Sequence, residues 1–169
     1  MTKLRSLYDA FMTKVLDRLR DPILLALRLF IGWQFYVSGK AHLEHIDGFI
    51  QFFTTLHIPA PALNAYFVAG LEMIGGILMF VGLASRLIAI PLAIDMIVAY
   101  LTADHDAVVN IFKDPDTFIA ATPFPFLLVS LVVLAVGPGR ISIDYVLRKI
   151  VDKKSASPAT IALSSSATS

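Results

Sequence analysis

The sequence predicts an all-α fold, a four-helix transmembrane bundle with an N-terminal interfacial amphipathic helix. Hydrophobic residues make up 57% of the 169 residues and charged residues only 16%, a balance that water-soluble domains of this size rarely reach. Four apolar runs each approach the roughly 20 residues with which a helix spans the bilayer. The basic residues are also divided unevenly between the two sides that such helices would define.

The chain divides into three predicted regions. Residues 1–21 carry apolar side chains at helical spacing, with basic residues largely elsewhere around the helix, which is typical of a helix lying on a membrane surface. A cytosolic extension of the first transmembrane helix is the alternative, although Asp21 and Pro22 favour a break there. Residues 22–145 contain the bundle. Residues 146–169 are predicted to be a cytoplasmic, largely disordered tail, because their Ser, Ala and Thr-rich end has no periodic pattern.

The transmembrane helices are predicted from the apolar runs at 22–39, 62–84, 87–101 and 117–137. The third run is the shortest. The first run contains Arg28, has no small-residue cleavage site and follows about twenty residues of charged sequence, so it is interpreted as a helix rather than a signal peptide.

The basic residues predict the orientation. Of the fourteen Lys and Arg residues, five precede the first helix, five follow the fourth, and Arg86 lies in the turn after the second. Only Lys40 and Lys113 fall in the two other loops. The positive-inside rule then places both termini in the cytoplasm, as in a multi-pass protein of the bacterial inner membrane. The lipid bilayer is the predicted environment, and a net charge of +1 gives no support for nucleic-acid binding.

Several cofactor chemistries are excluded by composition. A chain without Cys cannot form a disulfide, exchange dithiols or ligate an iron–sulfur cluster. The four histidines lie in the predicted outer loops, so no helix is expected to offer a buried imidazole to haem. His42 and His45 could bind a metal if their segment were helical, but a hydrated loop is the preferred interpretation. We therefore predict no metal site and no covalently bound cofactor.

Glu72 is the main candidate for a functional residue. It lies near the middle of the run 62–84, where an acidic side chain costs a few kcal/mol unless it faces a bundle interior and finds a partner. Helical steps of three and four place it on one stripe with Gly75, Gly76, Gly82 and Arg86. The first helix has a comparable face, formed by Arg28, Gly32, Tyr36 and Gly39. Small residues on both faces predict that the two helices pack closely.

Close packing of these faces would bring Arg28 near Glu72. At about 1.5 Å per residue, Arg28, Asp95 and Glu72 lie about 9, 13 and 18 Å from the inner boundary, so the three could form one cluster. We assign them as candidate catalytic residues that exchange protons or hold a ligand. We assign Tyr36, Gly75, Gly76 and Arg86 as candidate cofactor-binding residues. The alternative is that a buried Arg28–Glu72 pair only fixes helix register.

Two segments resemble the DoxX family of small four-helix membrane proteins. The first is Gly70-Leu-Glu-Met-Ile-Gly-Gly-Ile-Leu-Met-Phe-Val-Gly-Leu-Ala-Ser-Arg86, read together with Arg28 and Gly39-Lys40. The second is Gly137-Pro-Gly-Arg-Ile-Ser-Ile-Asp144. The resemblance covers about 22–145 and implies a four-helix bundle and, for some members, a membrane subunit of a quinone-linked oxidoreductase. The matched residues are Arg28, Lys40, Glu72, Gly75, Gly76, Arg86, Gly139, Arg140 and Asp144, and Asp95 is not among them.

Two functions are consistent with these residues. The first is an integral membrane subunit of a quinone-linked oxidoreductase or redox-stress system, with a quinone near the buried Arg, Glu and Asp residues and a redox partner subunit. The second is a non-catalytic membrane anchor, scaffold or small-molecule permeation protein whose buried charges stabilise the bundle. Because the chain lacks Cys and predicted haem ligands, a subunit of an oxidoreductase complex is favoured over an autonomous enzyme.

Overall fold

The computed structural model describes residues 17–155. Over this range the chain is helical, with short turns and no strand. Its helices are α1 (Asp17–Glu44), α2 (Ile46–Thr55), α3 (Pro61–Val81), α4 (Ser85–Thr102), α5 (His105–Val109), α6 (Pro115–Ala120), α7 (Pro123–Val136) and α8 (Ile143–Ser155). The all-α prediction is confirmed.

Four of these helices form the bundle. α1 packs on α3, α3 on α4, α4 on α7, and α7 returns to α1, so that the four surround one apolar core. The core comprises Ile31, Phe35, Met79, Ala89, Leu92, Met96, Val129 and Val133. Many large apolar side chains on the outside of the same helices are exposed, as expected for surfaces that face lipid rather than water.

Within residues 17–155, three helices are long and apolar enough to cross a membrane: Leu19–Glu44, Pro61–Val81 and Ser85–Thr102. The fourth predicted run, 117–137, is divided instead between α6 and α7, with Pro123 at the start of α7. The break lies at Ala121, whose backbone is extended (φ −64°, ψ 140°). Pro123 then occupies the first turn of α7, where its missing amide removes no hydrogen bond of the helix. With 14 residues, α7 is about 21 Å long and therefore shorter than the roughly 30 Å hydrocarbon layer.

The short helix α6 is held by a side-chain cap. Asp114 accepts hydrogen bonds from the hydroxyl and the backbone amide of Thr117, at 2.6 and 3.4 Å. These bonds favour the ionised carboxyl and lower the pKa of Asp114 below its ordinary value. The cap fixes the start of α6 in the connection between α4 and α7.

The predicted glycine contact between α1 and α3 is confirmed. A Cβ added at Gly32 would lie 2.9 Å from the carbonyl oxygen of Gly76, and one added at Gly76 would lie 2.5 Å from the backbone nitrogen of Tyr36. Gly39 approaches the backbone of α3 in the same way, near Met73. The backbones of the two helices therefore touch, which any larger residue at these positions would prevent.

The predicted helix break at Asp21 and Pro22 is wrong. α1 continues through Pro22, because the missing amide removes a single hydrogen bond near one end of a 28-residue helix. The predicted interfacial helix lies mostly outside the described residues. The predicted tail begins as helix, since residues up to Ser155 belong to α8, and the rest of it is also outside the described residues.

One end of the bundle is rich in arginine and is called the basic end here. It is the end at which α1 and α4 begin, and it carries Arg20, Arg86, Arg140 and Arg148. Asp144 lies there, just after the loop that leaves α7. Its carboxylate oxygens accept hydrogen bonds from the backbone amides of Ala84 and Ser85 at 2.7 and 2.9 Å. Asp144 thus satisfies free amides at the start of α4 and ties that helix to α8.

Candidate functional site

Glu72 lies inside the bundle, as predicted, but its partners are polar residues of α1. Its side chain is buried and Oε2 accepts a hydrogen bond from Ser38 Oγ at 3.0 Å. The same oxygen lies 2.9 Å from His42 Nδ1, with which it shares a hydrogen bond. Ser38 and His42 are four residues apart and therefore project from one face of α1. The contact of Gly39 with α3 brings that face against Glu72.

An aromatic cover lies over His42. The ring of Phe49, from α2, stacks on the imidazole with a centroid distance of 3.9 Å and an interplanar angle of 8°. Phe53, one turn later, is buried and packs against Phe49. About a third of the His42 side chain remains exposed. Nδ1 faces Glu72, whereas Nε2 makes no hydrogen bond with the described residues, so this nitrogen is available to a ligand.

Asp95 approaches the same site from α4. It is near enough to Glu72 and His42 for their charges to act on it. Its Oδ2 atom is buried and has no hydrogen-bond partner among the described residues. A buried oxygen without a partner is costly in hydrocarbon surroundings, so Asp95 adds a proton acceptor to the site without contributing a protein hydrogen bond through that atom. The cluster of Ser38, His42, Glu72 and Asp95 is called the central polar site below.

Arg28 does not belong to the central polar site, and the predicted Arg28–Glu72 pairing is not observed. Its guanidinium points to the basic end, where it donates to the carbonyl oxygens of Pro138 and Ile141 at 2.5 and 2.9 Å. Its charge interacts with that of Asp144. Arg28 precedes Ser38 by ten residues, or about 15 Å of helix rise, which an arginine side chain directed the other way cannot span.

Comparison with known proteins agrees with this architecture. Residues 23–105 match the family model described as DoxX. This segment of the chain is therefore similar to the DoxX family. It is 38% identical over 78 residues to a Bacillus subtilis (strain 168) protein named "Putative oxidoreductase CatD", a match that covers 46% of this chain and 57% of the relative. The match thus spans little more than half the length of that relative.

A second relative extends the similarity over more of the chain. It is a Haemophilus influenzae protein named "Uncharacterized protein", 26% identical over 136 residues, which cover 78% of this chain and 87% of the relative. No solved structure shows significant similarity to the chain. The central polar site lies wholly within the matched residues 23–105, whereas Arg140 and Asp144 lie beyond them.

The remaining predicted site residues are distributed between packing surfaces and the basic end. Gly76 contacts α1, and Gly75 faces α4, where an added Cβ would lie 3.1 Å from the side chain of Leu92. Tyr36 is half-buried against Trp33, with ring centroids 5.5 Å apart. Arg86 donates to the carbonyl oxygen of Ala135 at the basic end. Helix packing accounts for both glycines, and ligand binding by any of these residues stays a prediction.

Sequence reasoning missed Ser38 and His42. Ending the first helix at residue 39 assigned all histidines to loops, and for His42 this was wrong, since α1 continues to Glu44. The signal was present: Arg28, Phe35, Ser38 and His42 follow one another at helical spacing on the buried side of α1. Among the described residues, no group of three or more His, Asp or Glu side chains is arranged to hold a metal ion.

Replacing Asp95 by leucine is expected to leave the melting temperature of the purified protein unchanged or to raise it. The substitution removes a buried, unpartnered oxygen, whose burial costs about 1–3 kcal/mol, and retains most of the side-chain volume. Thermal unfolding in detergent measures this, with Asp106→Leu at an exposed position as the control. A melting temperature several degrees below that of the wild type would show that Asp95 has a stabilising partner.

Proposed function

We propose that this protein is the membrane-embedded subunit of a quinone-linked oxidoreductase, and that its central polar site carries protons between a bound quinone and the bundle interior. The observation that supports this most directly is the 2.9 Å contact between His42 Nδ1 and Glu72 Oε2. A partly exposed imidazole on a buried carboxyl group can pass a proton inwards or outwards, because its two nitrogens face different surroundings. The name of the Bacillus subtilis relative is consistent with redox chemistry.

The order of contacts defines a route for protons. Reduction of a quinone to a quinol takes up two electrons, which the redox partner subunit would supply, and two protons. In one passage His42 releases a proton from Nε2 to a ligand oxygen and takes one at Nδ1 from the Glu72 carboxyl group. The imidazole then returns to the tautomer protonated at Nε2, and a second passage supplies the second proton of the quinol. Asp95, which is half-buried near them with an unpartnered Oδ2, returns a proton to Glu72 and regains one from water after each passage. Ser38 holds the Glu72 carboxyl in position through its 3.0 Å hydrogen bond.

The proposed setting is a bacterial inner membrane with the basic end in the cytoplasm. Eleven of the fourteen Lys and Arg residues lie before α1, in its first turn, beside the α3–α4 turn or after α7, and the positive-inside rule assigns that end to the cytoplasm. The central polar site then lies about halfway through the bundle, with α2 covering it from the outer side. Quinones are lipid-soluble and reach such a site from the bilayer.

Binding of a short-chain ubiquinone analogue tests this function. Trp33 is the chain's one tryptophan, and quenching of its fluorescence reports quinone binding to the detergent-purified full chain. Glu72→Gln keeps the shape of the side chain but removes its titratable carboxyl group. His42→Asn keeps a hydrogen-bond donor near Glu72 but removes Nε2. We expect each substitution to weaken the apparent affinity at least tenfold, equivalent to about 1.4 kcal/mol.

His45→Asn is the matched control, because His45 is exposed and makes no side-chain contact with Glu72. Its affinity for the quinone should equal that of the wild type. Saturable quenching that is the same in the wild type, Glu72→Gln and His42→Asn would contradict a role for the central polar site. Absence of saturable quenching in the wild type would contradict quinone binding.

The second function, a non-catalytic anchor or scaffold, is favoured by one observation. Arg28, Gly76 and Asp144 all have packing or capping roles. If Glu72 and His42 serve the same purpose, Glu72→Gln should lower the melting temperature and the yield of assembled protein together. A Glu72→Gln variant with the wild-type melting temperature but reduced quinone affinity would exclude that interpretation of the central polar site.

A further inference from the structure

A pocket lies at the basic end, away from the central polar site. It has a volume of about 400 Å³ and is bounded by the start of α1, the loop after α7 and the first turns of α8. Four arginines line it: Arg20, Arg86, Arg140 and Arg148. The acidic residues in its wall are Asp21 and Asp144. Positive charge therefore exceeds negative charge in the pocket.

The two aspartates are already engaged with backbone amides. Asp21 Oδ1 accepts a hydrogen bond from the backbone amide of Arg140 at 3.0 Å. Both carboxylate oxygens of Asp144 accept hydrogen bonds from backbone amides at the start of α4. The arginine side chains make no ion pair within the described part of the chain. Neither aspartate therefore lies within ion-pairing distance of an arginine side chain of the pocket, and the positive charge of the guanidinium groups stays available to a ligand.

Two of the arginines are held in position by the end of α7. Arg20 donates to the carbonyl oxygen of Val136 at 3.0 Å, and Arg86 donates to that of Ala135 at 3.1 Å. Each bond uses one of the five N–H groups of a guanidinium, so donors remain for a ligand. Arg140 and Arg148 make no side-chain hydrogen bond with the described residues. This arrangement of guanidinium groups suits the oxygens of a phosphate, which arginine binds through paired donors.

A second pocket, of about 350 Å³, adjoins the first and is largely apolar. The two share Arg86, Pro138, Asp144 and Arg148 in their walls. The second pocket adds four apolar residues, Ala84, Leu87, Leu147 and Val151, and one acidic residue, Asp152. A ligand that fits both has a charged group at one end and a hydrocarbon chain at the other.

The outer surface of α8 has the same amphipathic character. Ile143, Val146 and Ile150 are exposed at helical spacing, and basic residues including Arg148 and Lys149 lie on the same helix. Such a helix is suited to the boundary between lipid headgroups and acyl chains. The pocket beside it would then open at the depth of the lipid phosphates.

We propose that the pocket lined by Arg20, Arg86, Arg140 and Arg148 binds the phosphate of an anionic phospholipid. The acyl chain of the lipid then follows the adjoining apolar pocket along α8. Basic pockets between transmembrane helices on the cytoplasmic side bind acidic lipid headgroups by the same physical means. The site is separate from the proposed proton route, and binding there requires no quinone. A soluble phosphate ester offers the same phosphate chemistry without the hydrocarbon chain, so the test separates the two ligands.

Native mass spectrometry of the delipidated full chain tests the proposal. The protein is titrated with dioleoylphosphatidylglycerol, with dioleoylphosphatidylcholine and, in a separate series, with glycerol 3-phosphate. We expect one phosphatidylglycerol to bind at least tenfold more tightly than phosphatidylcholine. The double variant Arg86→Gln/Arg148→Gln should weaken that affinity at least tenfold. Lys113→Gln should leave it unchanged, because it removes an exposed positive charge in the connection between α4 and α7, at the end of the bundle opposite the pocket.

The single variant Arg148→Gln keeps the test valid if the double variant does not fold, because the Arg148 side chain makes no hydrogen bond within the described structure. Equal affinities of wild type and Arg148→Gln for phosphatidylglycerol would then overturn the site. Arginine-dependent binding of glycerol 3-phosphate without preference for the lipid would assign the pocket to a soluble phosphate ester and overturn the lipid proposal. Equal binding of both phospholipids would overturn it as well.

Discussion

Replacement of Arg28 by methionine is expected to lower the melting temperature of the detergent-purified protein by about 10 °C. The guanidinium donates to the carbonyl oxygens of Pro138 and Ile141 and is almost fully buried. A hydrogen bond that involves a charged group contributes about 1.5–3 kcal/mol, so the loss of two corresponds to about 3–6 kcal/mol. For a protein of this size, each kcal/mol changes the melting temperature by about 2–4 °C.

The position of Arg28 explains why the effect should extend beyond its own bonds. It supports the loop that leads into α8, and Asp144, in the first turn of α8, accepts hydrogen bonds from the backbone amides of Ala84 and Ser85 at the start of α4. A Cβ at Gly82, in the α3–α4 turn, would lie 2.6 Å from Arg28 Nη1, so the guanidinium also fills the space beneath that turn. Two connections of the bundle, the α3–α4 turn and the loop after α7, therefore meet around one side chain.

Arg148→Met is the matched control for Arg28→Met. It makes the same chemical change at an exposed side chain with no hydrogen bond in the described structure, and surface substitutions of this kind usually change stability by less than about 0.5 kcal/mol. Both variants should be measured without added lipid, by circular dichroism at the helical signal. Similar melting temperatures for the two variants would be incompatible with the structural role given to Arg28.

Arg28 also shows where sequence reasoning reached its limit. The sequence identifies a buried cation, and the usual expectation is that a buried cation pairs with a carboxylate. Its partners are backbone carbonyls of a loop more than a hundred residues away, and carbonyls are present in every residue. No residue type marks them, so the sequence offered Glu72 as the more visible partner.

The end of α1 was obscured for a different reason. Lys40 and Glu44 give the segment after Gly39 the polarity of a loop, but the two are one helical turn apart and form an ion pair at 3.6 Å on the exposed surface. The buried surface of the same turns carries Ser38 and His42. Extending the helical spacing by two turns would have placed the imidazole beside Glu72, whereas the cover provided by Phe49 depends on the turn into α2.

The glycine stripes, by contrast, could be predicted, because close helix packing has a direct sequence signal. Gly32 and Gly76 recur at helical spacing with other small residues, and the structure places them in backbone contact. The requirement for a missing side chain is local and steric. The glycine contact was therefore predicted correctly even though the polar partners of Arg28 and Glu72 were not.

Gly76→Ala is accordingly expected to destabilise the protein by about 1–3 kcal/mol, the usual cost of forcing extra atoms into a packed interior, or about 3–10 °C in melting temperature. The added methyl group would lie 2.5 Å from the backbone nitrogen of Tyr36 and 2.6 Å from the carbonyl oxygen of Gly32. Neither atom can move without separating α1 from α3. Separation would also pull His42 away from Glu72, so quinone affinity should fall with stability.

Gly70→Ala on the same helix is the control, because a Cβ there has no neighbour within 4 Å. Replacing a helical glycine by alanine without a clash lowers the free energy of the folded state by up to about 1 kcal/mol, so this variant should melt at or above the wild-type temperature. The two substitutions are chemically identical and differ only in what the new methyl group meets. If both lowered the melting temperature equally, the loss would come from helix flexibility, and the close contact between α1 and α3 would not be what holds the central polar site together.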